Sequence, residues 1–101
     1  MNTILRYPIN KAINDIELPV GFEVLNVGVC EEASGAESIS VWCKVETEEP
    51  PLYKATTTEK VRFLVFGTGA NLDDMMPFEH KYIGTVQKSD RYAFHVFMVK
   101  N

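Results

Sequence analysis

The feature that most constrains this chain is a series of short runs of β-branched and aromatic residues, each ended by turn-forming residues. Such runs are typical of β-strands. They predict strands over residues 3–7, 12–18, 23–30, 38–46, 59–67, 81–87 and 92–99. Only residues 71–76, with Asn71 as a cap and Pro77 as a stop, have a pattern that permits a helical turn. We therefore expect an all-β fold, a small antiparallel sandwich or barrel of about seven strands with little or no helix, in one domain over residues 1–101.

The turn residues also predict where neighbouring strands meet. Residues 19–21, 34–35 and 88–90 have the composition of tight turns between consecutive strands. A hairpin closed at residues 34–35 puts Cys30 opposite about Ile39 and Cys43 opposite about Asn26, too far apart along the strands to form a disulfide. Residues 1–9 lack the apolar run of a signal peptide, and no stretch of about 18 apolar residues occurs. We therefore expect reduced thiols in a soluble, cytoplasmic protein.

Alternation along the strands predicts which faces are buried. In the fourth run, one face has Ile39, Val41, Cys43 and Val45, whereas the other, predicted to be wet, has Ser40, Trp42, Lys44 and Glu46. The runs 59–67 and 92–99 are apolar on both faces, so a second copy or a loop must cover one of them. We predict a homo-oligomer, most simply a dimer. The exposed indole of Trp42 fits either a ligand or partner contact or subunit packing.

The charge of the chain argues against broad contact with nucleic acid. The net charge is -4, which is the wrong sign for holding a phosphate backbone. Residues 31–50 hold six acidic side chains against the single cation Lys44: Glu31, Glu32, Glu37, Glu46, Glu48 and Glu49. We expect one acidic end of the molecule, which is either a solvated loop or a surface for a basic partner.

One glycine-rich segment has the composition of an anion-binding loop. Gly67 and Gly69 flank Thr68 directly after a predicted strand, and backbone amides in such a loop can face a phosphate. Leu72 replaces the third glycine of the dinucleotide fingerprint and no Walker lysine follows, so a tight turn at the end of the strand is the alternative. The cations able to assist are Arg6, Lys54, Lys60 and Arg62.

Other chemistry has little support in the sequence. His80, His95, Cys30 and Cys43 lack the short spacing of a zinc site, and Asp73 and Asp74 fit capping of the turn at residues 71–76 better than cation binding. No serine or cysteine lies in a nucleophile elbow. We expect no resident metal, no cofactor and no catalysis.

Several segments together resemble a family of small uncharacterised proteins encoded by bacteriophages and prophages. The segments are Tyr7-Pro8, Leu18-Pro19-Val20-Gly21, Trp42, Phe66-Gly67-Thr68-Gly69, Tyr82-Ile83-Gly84-Thr85-Val86-Gln87 and Phe94-His95-Val96-Phe97. The Phe-Gly-Thr-Gly and Tyr-Ile-Gly-Thr segments are the most specific of these. No catalytic residue is assigned to that family, and this chain departs from it in a longer, more acidic stretch at residues 31–37 and in residues 46–51.

The resemblance implies an anti-defence protein that acts by binding. The first hypothesis is an oligomeric sponge that sequesters a nucleotide-derived immune signal, with Trp42 or Tyr82 for stacking, the amides of Gly67, Thr68 and Gly69, and phosphate contacts from Arg6, Lys54 or Arg62. The alternative is an anti-CRISPR-like inhibitor that binds a Cas nuclease through Glu31, Glu32, Glu46, Glu48 and Glu49. A virion or regulatory accessory protein is the third, blander possibility.

Overall fold

The computed structural model describes residues 1–49 and 57–100. It contains seven β-strands, namely β1 Asn2–Pro8, β2 Ile13–Pro19, β3 Glu23–Glu31, β4 Glu37–Glu46, β5 Thr58–Gly67, β6 His80–Gln87 and β7 Ala93–Lys100. The described residues contain no helix. The predicted all-β class is therefore confirmed, and each predicted strand boundary lies within one residue of the observed one.

The strands form two antiparallel sheets that pack as a sandwich. The three-stranded sheet has the order β1-β4-β3, and the four-stranded sheet has the order β2-β5-β7-β6. Between them lies one hydrophobic core, to which all the strands contribute and which includes the fully buried side chains of Ile9, Leu18, Val41, Phe63 and Val96. Each sheet thus has an inner face on the core and an outer face directed away from it.

The turns form where glycine or a short polar segment was predicted. The amide of Phe22 donates to the carbonyl of Pro19 over 3.1 Å, and Gly21 between them has a left-handed φ of +86°. The turn between β3 and β4 likewise has Gly35 at φ +84°. Between β6 and β7, it is Arg91 that has the positive φ, 72°, and its amide donates to the carbonyl of Lys88.

The predicted faces of β4 are only partly right. Ile39, Val41, Cys43 and Val45 are buried in the core, as expected. On the opposite face, however, Ser40 is fully buried and Trp42 is half-buried, so the prediction of a wet face was wrong for these two residues. Gly28 on β3 explains the difference, because it lies opposite Ser40 and a Cβ atom there would be 3.3 Å from the Trp42 ring. The indole thus packs over a strand that has no side chain at that position.

The observed register of the β3–β4 hairpin differs from the approximate prediction by one residue at Cys30 and by two residues at Cys43. Cys30 lies opposite Ser38, and Cys43 lies opposite Val24. A β-bulge between Val24 and Asn26 adds one residue to β3, which shifts the pairing further at that end. Both cysteines are free, and burial raises the pKa of Cys43 to about 11.

The loop between β5 and β6 folds over the apolar outer face of the four-stranded sheet. Met75 is its anchor, since its side chain is only 4% exposed. The carbonyl of Leu72 accepts from the amides of Met75 at 3.0 Å and Met76 at 3.1 Å, which makes the single turn predicted at residues 71–76. We expected either a second copy of the protein or a loop to cover this face, and the loop covers part of it. Met76 and Phe78 on the loop, and Ile13 and Tyr82 on the sheet, remain exposed.

Candidate functional site

Three segments that are distant in sequence meet on the outer face of the four-stranded sheet. Phe66 on β5 lies opposite His95 on β7, and Thr85 on β6 lies opposite His95 from the other side. The next row places Phe97 between Leu64 and Tyr82. The Phe-Gly-Thr-Gly, Tyr-Ile-Gly-Thr and Phe-His-Val-Phe segments are therefore neighbours in this sheet.

A β-bulge in β6 explains why the side chains of Tyr82 and Thr85 lie on the same face of the sheet. Residues three apart on a regular strand point to opposite faces of a sheet. The register of β6 against β7 shifts between Tyr82 and Gly84, so Ile83 is an extra residue and Tyr82 and Thr85 lie on the same face. Their two hydroxyl groups are hydrogen-bonded to each other.

His95 joins this pair to the glycine-rich turn. Its Nδ1 is 2.9 Å from the Thr85 hydroxyl oxygen, and its Nε2 is 2.9 Å from the Thr68 hydroxyl oxygen. Both ring nitrogens therefore have a hydroxyl partner. The result is a continuous chain of hydrogen bonds across three strands, from Thr68 through His95 and Thr85 to Tyr82, which we call the hydroxyl chain.

A cluster of aromatic rings centred on Phe97 includes Tyr82, the end of the hydroxyl chain. The Phe97 ring centroid is 5.4 Å from that of Tyr82, 5.9 Å from that of Phe66 and 6.1 Å from that of His80, with tilted or edge-on geometry throughout. This geometry is the favourable one for aromatic pairs. Tyr82 is 53% exposed despite these contacts, so part of its ring is open to another molecule.

Two cavities lie on this face, and residues of the covering loop line both. The first, of about 220 Å³, we call the aromatic pocket; its lining residues are Phe66, Gly67, Gly69, Ala70, Leu72, Tyr82, His95 and Phe97. The second, of about 370 Å³, we call the loop cavity; it lies between the sheet and the loop residues Asn71, Asp74, Met75 and Phe78. Phe66 lines both.

The glycine-rich segment itself is a tight turn. Gly69 has a φ of +89°, and the amide of Ala70 donates to the carbonyl of Gly67 over 3.1 Å. That amide is therefore used within the turn and is not directed at a ligand. The segment brings the Thr68 hydroxyl to His95 and allows the backbone to form one wall of the aromatic pocket.

Of the cations predicted for phosphate binding, the three that the structure describes, Arg6, Lys60 and Arg62, do not line this pocket. Arg62 lines the loop cavity, and its Nε and Nη2 donate to the two carboxylate oxygens of Asp15 over 2.8 and 3.1 Å. This hydrogen-bonded pairing lowers the pKa of Asp15 and raises that of Arg62. Arg6 lies opposite Trp42 in the three-stranded sheet, and Lys54 lies outside the described residues. The predicted ligand set is thus divided, with Gly67, Thr68, Gly69 and Tyr82 together, and Trp42 and Arg6 on the other sheet.

The sequence did not reveal the central residues of the site. His95, Thr85, Phe66 and Phe97 were not predicted to bind anything, although each belongs to a segment that carries the resemblance. The pairing of β5, β7 and β6 brings them together, and that pairing is a tertiary property. Proximity of Phe66 and Thr85 to His95 cannot be read from residues that are 10 to 29 positions apart without the strand order.

The acidic residues are distributed differently from the prediction. Glu31 lies opposite Glu37 at one end of β4, whereas Glu46 lies at the other end, opposite Asn2. The ends of this ten-residue strand are about 30 Å apart. Glu48 and Glu49 are exposed beyond Glu46. The structure therefore has acidic groups at two places, not one acidic end.

Glu32 is engaged within the protein. Its Oε1 accepts from the Ser38 hydroxyl over 2.6 Å and from Arg6 Nη1 over 3.1 Å. The Ser38 hydrogen bond and then the Arg6 contacts lower the pKa of this carboxyl group. The Glu32 carboxylate therefore links Ser38 and Arg6 on the outer face of the three-stranded sheet.

Two general features of the described residues bear on the range of functions. Within residues 1–49 and 57–100, no three His, Cys, Asp or Glu side chains are grouped closely enough to hold a metal ion. The same residues include no helix with the length and apolar character needed to cross a membrane.

Comparison with known proteins identifies a family but no characterised relative. Searches of the curated proteins and of the solved structures found no match to this chain. The model of a family described as a domain of unknown function, DUF7352, matches residues 1–101. The chain therefore belongs to the DUF7352 family.

Proposed function

We propose that this protein is a non-enzymatic binding protein that sequesters a small nucleotide-derived molecule on the outer face of its four-stranded sheet. The observation that carries the proposal is the convergence of the hydroxyl chain, the half-exposed Tyr82 ring and the glycine-rich turn at one pocket. Aromatic rings beside hydrogen-bonding groups are the common means of holding a nucleobase.

The size of the aromatic pocket favours partial enclosure of such a ligand. Its volume of about 220 Å³ is below the range of roughly 300–1,000 Å³ typical of pockets that enclose drug-sized molecules. One part of the ligand would therefore be held in the pocket while the rest extends over Leu72 or out of the protein. A second subunit placed against this face would complete the enclosure, which is why we propose a homo-oligomer.

The resemblance to bacteriophage and prophage proteins supports an anti-defence role for this binding. In that role the ligand is a nucleotide-derived immune signal, and the protein acts in the cytoplasm of the infected bacterium. The alternative of a Cas nuclease inhibitor has less support, because the acidic residues that would contact a basic groove are separated by the length of β4.

A thermal-shift experiment tests the proposal. The purified protein is heated with each member of a panel of cyclic dinucleotides, cyclic ADP-ribose-type nucleotides and nucleoside monophosphates. We expect at least one to raise Tm by about 5 °C or more at saturating concentration, because a ligand that binds only the folded state stabilises it. The same compound should be recovered chemically intact after heat denaturation.

Two tyrosine variants make the test specific for the site. Tyr82→Leu should abolish the shift, since it removes the exposed ring of the aromatic pocket. Tyr92→Leu is the matched control, because Tyr92 is also exposed but lies in the turn before β7, outside the pocket lining. The proposal fails if no compound of the panel shifts Tm, or if both variants respond as the original protein does.

A further inference from the structure

We infer that the aromatic pocket recognises the uncharged nucleobase of its ligand and not the phosphate. This inference rests on the proposed function and specifies its chemistry. It also departs from the expectation that the glycine-rich turn and nearby cations hold phosphate groups. The charges, hydrogen bonds and ring positions around the pocket support it separately.

The charges around the pocket are unfavourable for phosphate. None of the eight residues that line it is Lys, Arg, Asp or Glu. The adjoining loop, residues 68–79, contains Asp73, Asp74 and Glu79 but no lysine or arginine. The described lining of the pocket therefore offers a phosphate no cation, and the adjoining loop has acidic side chains without basic ones.

Arg62, the predicted phosphate ligand on the same strand as Phe66, is already engaged elsewhere. Arg62 lies four residues before Phe66 on the same strand, about 13 Å along β5. Its guanidinium forms the two-point contact with Asp15, and it lines the loop cavity instead of the aromatic pocket. The amide of Ala70, which an anion-binding loop would direct outward, donates to Gly67.

The hydroxyl chain has the hydrogen-bonding capacity that a base edge requires. A neutral imidazole donates from one nitrogen and accepts at the other. Both nitrogens of His95 contact threonine hydroxyls, so with a neutral ring the donors along the chain all run in one direction. The Tyr82 hydroxyl, which is the end of the chain that lines the pocket, then either keeps a proton for a ligand or keeps its lone pairs as an acceptor. A nucleobase offers both an acceptor and a donor along its edge.

The rings provide the stacking surface that goes with such an edge. Tyr82 and Phe97 are adjacent in the pocket wall, and the Tyr82 ring carries the hydroxyl that ends the chain. A base stacked on the exposed part of the Tyr82 ring would therefore lie beside the hydroxyl group that ends the chain. Stacking and neutral hydrogen bonds depend little on ionic strength, in contrast to phosphate contacts.

The test compares each nucleoside with its own phosphate ester. Adenosine, guanosine, cytidine and uridine, their 5′-monophosphates and inorganic phosphate are titrated into the full chain and followed by NMR chemical shifts, at low and at high salt. We expect the preferred nucleoside to bind within about threefold of its monophosphate, with little effect of salt, and inorganic phosphate not to compete.

Matched variants identify the groups involved. Thr85→Val should weaken binding of the nucleoside by about fivefold or more, because it breaks the hydroxyl chain while keeping the side-chain shape. Thr3→Val on β1 is the control for the same change on the other sheet. Arg62→Gln should leave the ratio of nucleoside to monophosphate affinity unchanged, since Arg62 does not line the pocket.

The outcomes separate this inference from the function on which it rests. One outcome would contradict the inference alone: the nucleosides bind more than about tenfold more weakly than the monophosphates, and inorganic phosphate competes. The pocket would then bind the phosphate group, so the inference would be wrong while the proposed function stands. If neither nucleosides, monophosphates nor the nucleotides of the thermal-shift panel bind, the proposed function is wrong and the inference with it.

Discussion

Individual residues in this protein are constrained mainly by contacts that cross between strands or sheets. Gly84 on β6 is the clearest case, because a Cβ atom at this position would lie 2.7 Å from Cγ1 of Val27 on β3. Gly28 has a similar but milder constraint under the Trp42 ring. Neither glycine has a positive φ. They are required by close approach and not by backbone conformation.

Gly84→Ala should therefore destabilise the protein by about 1–3 kcal/mol, because the added methyl group overpacks the contact between the sheets. The free energy of unfolding is measured by urea denaturation. Gly67→Ala is the control, since its Cβ would meet nothing within 4 Å. Combining Gly84→Ala with Val27→Ala makes room for the methyl group, so the double variant should lose less stability than the sum of the single losses. Strict additivity would contradict this account.

The elements themselves show how much of the fold could be predicted from sequence. Strand positions are local properties, and the alternation in β4 or the turn at Gly21 placed them to within one residue. The bulges at Leu25 and Ile83 were not predictable, because they depend on the partner strand. The same bulge in β6 brings Tyr82 and Thr85 to one face, so the centre of the candidate site was hidden for the same physical reason.

The loop that covers the four-stranded sheet should depend on its buried methionine. Met75→Ala is expected to lower the free energy of unfolding by about 2 kcal/mol or more and to speed proteolysis within residues 68–79, because it empties the contact between loop and sheet. Met76→Ala is the control, since the adjacent Met76 is exposed. Equal effects of the two substitutions on stability and cleavage would show that Met75 is not the anchor.

The pairing of β2 with β5 includes one ion pair whose contribution depends on pH. Because Arg62 lowers the pKa of Asp15, the pair stabilises the folded state above the ordinary pKa of aspartate, about 3.9, and that contribution is lost as the pH falls through the lowered value. Arg62→Gln should thus be less stable than the original protein at pH 7, with the difference shrinking in acid.

Urea denaturation at pH 7 and at about pH 2 measures this difference, the lower value being well below the ordinary aspartate pKa. Lys81→Gln removes a charge that forms no ion pair with a described residue, and it serves as the control. A stability difference for Arg62→Gln that stays constant with pH would contradict a role for the Asp15 carboxylate.

The molecule as a whole is flat, with extents of 42 × 37 × 17 Å. Two layers account for the short dimension, since sheets in a sandwich pack about 10 Å apart. A flat sandwich has two broad outer faces, and both carry apolar side chains: Ile4 on the three-stranded sheet, Ile13 and Tyr82 on the four-stranded sheet, and Phe78 on its covering loop. We therefore propose that contacts with other molecules form on these outer faces.

The proposed homo-oligomer should form through the face that has the covering loop. Sedimentation is expected to give the mass of a dimer, because a second copy would bury the exposed apolar side chains of Met76 and Phe78 on the loop and of Ile13 and Tyr82 on the sheet. Phe78→Asp should shift the particle to the monomer. Ile4→Asp, an equally exposed position on the opposite layer, should not. A monomeric original protein, or dissociation caused by Ile4→Asp alone, would refute this arrangement.

The strand order has a consequence for how the chain reaches its native state during synthesis. β1 pairs with β4, and β2 pairs with β5. Neither β1 nor β2 can therefore pair until some 40 further residues have left the ribosome. Until then, Leu5, Ile16 and Leu18 are exposed on nascent strands with open edges. Folding should consequently be slow for a chain of this length, and chaperones that shield nascent β-strands should increase its yield in the cell.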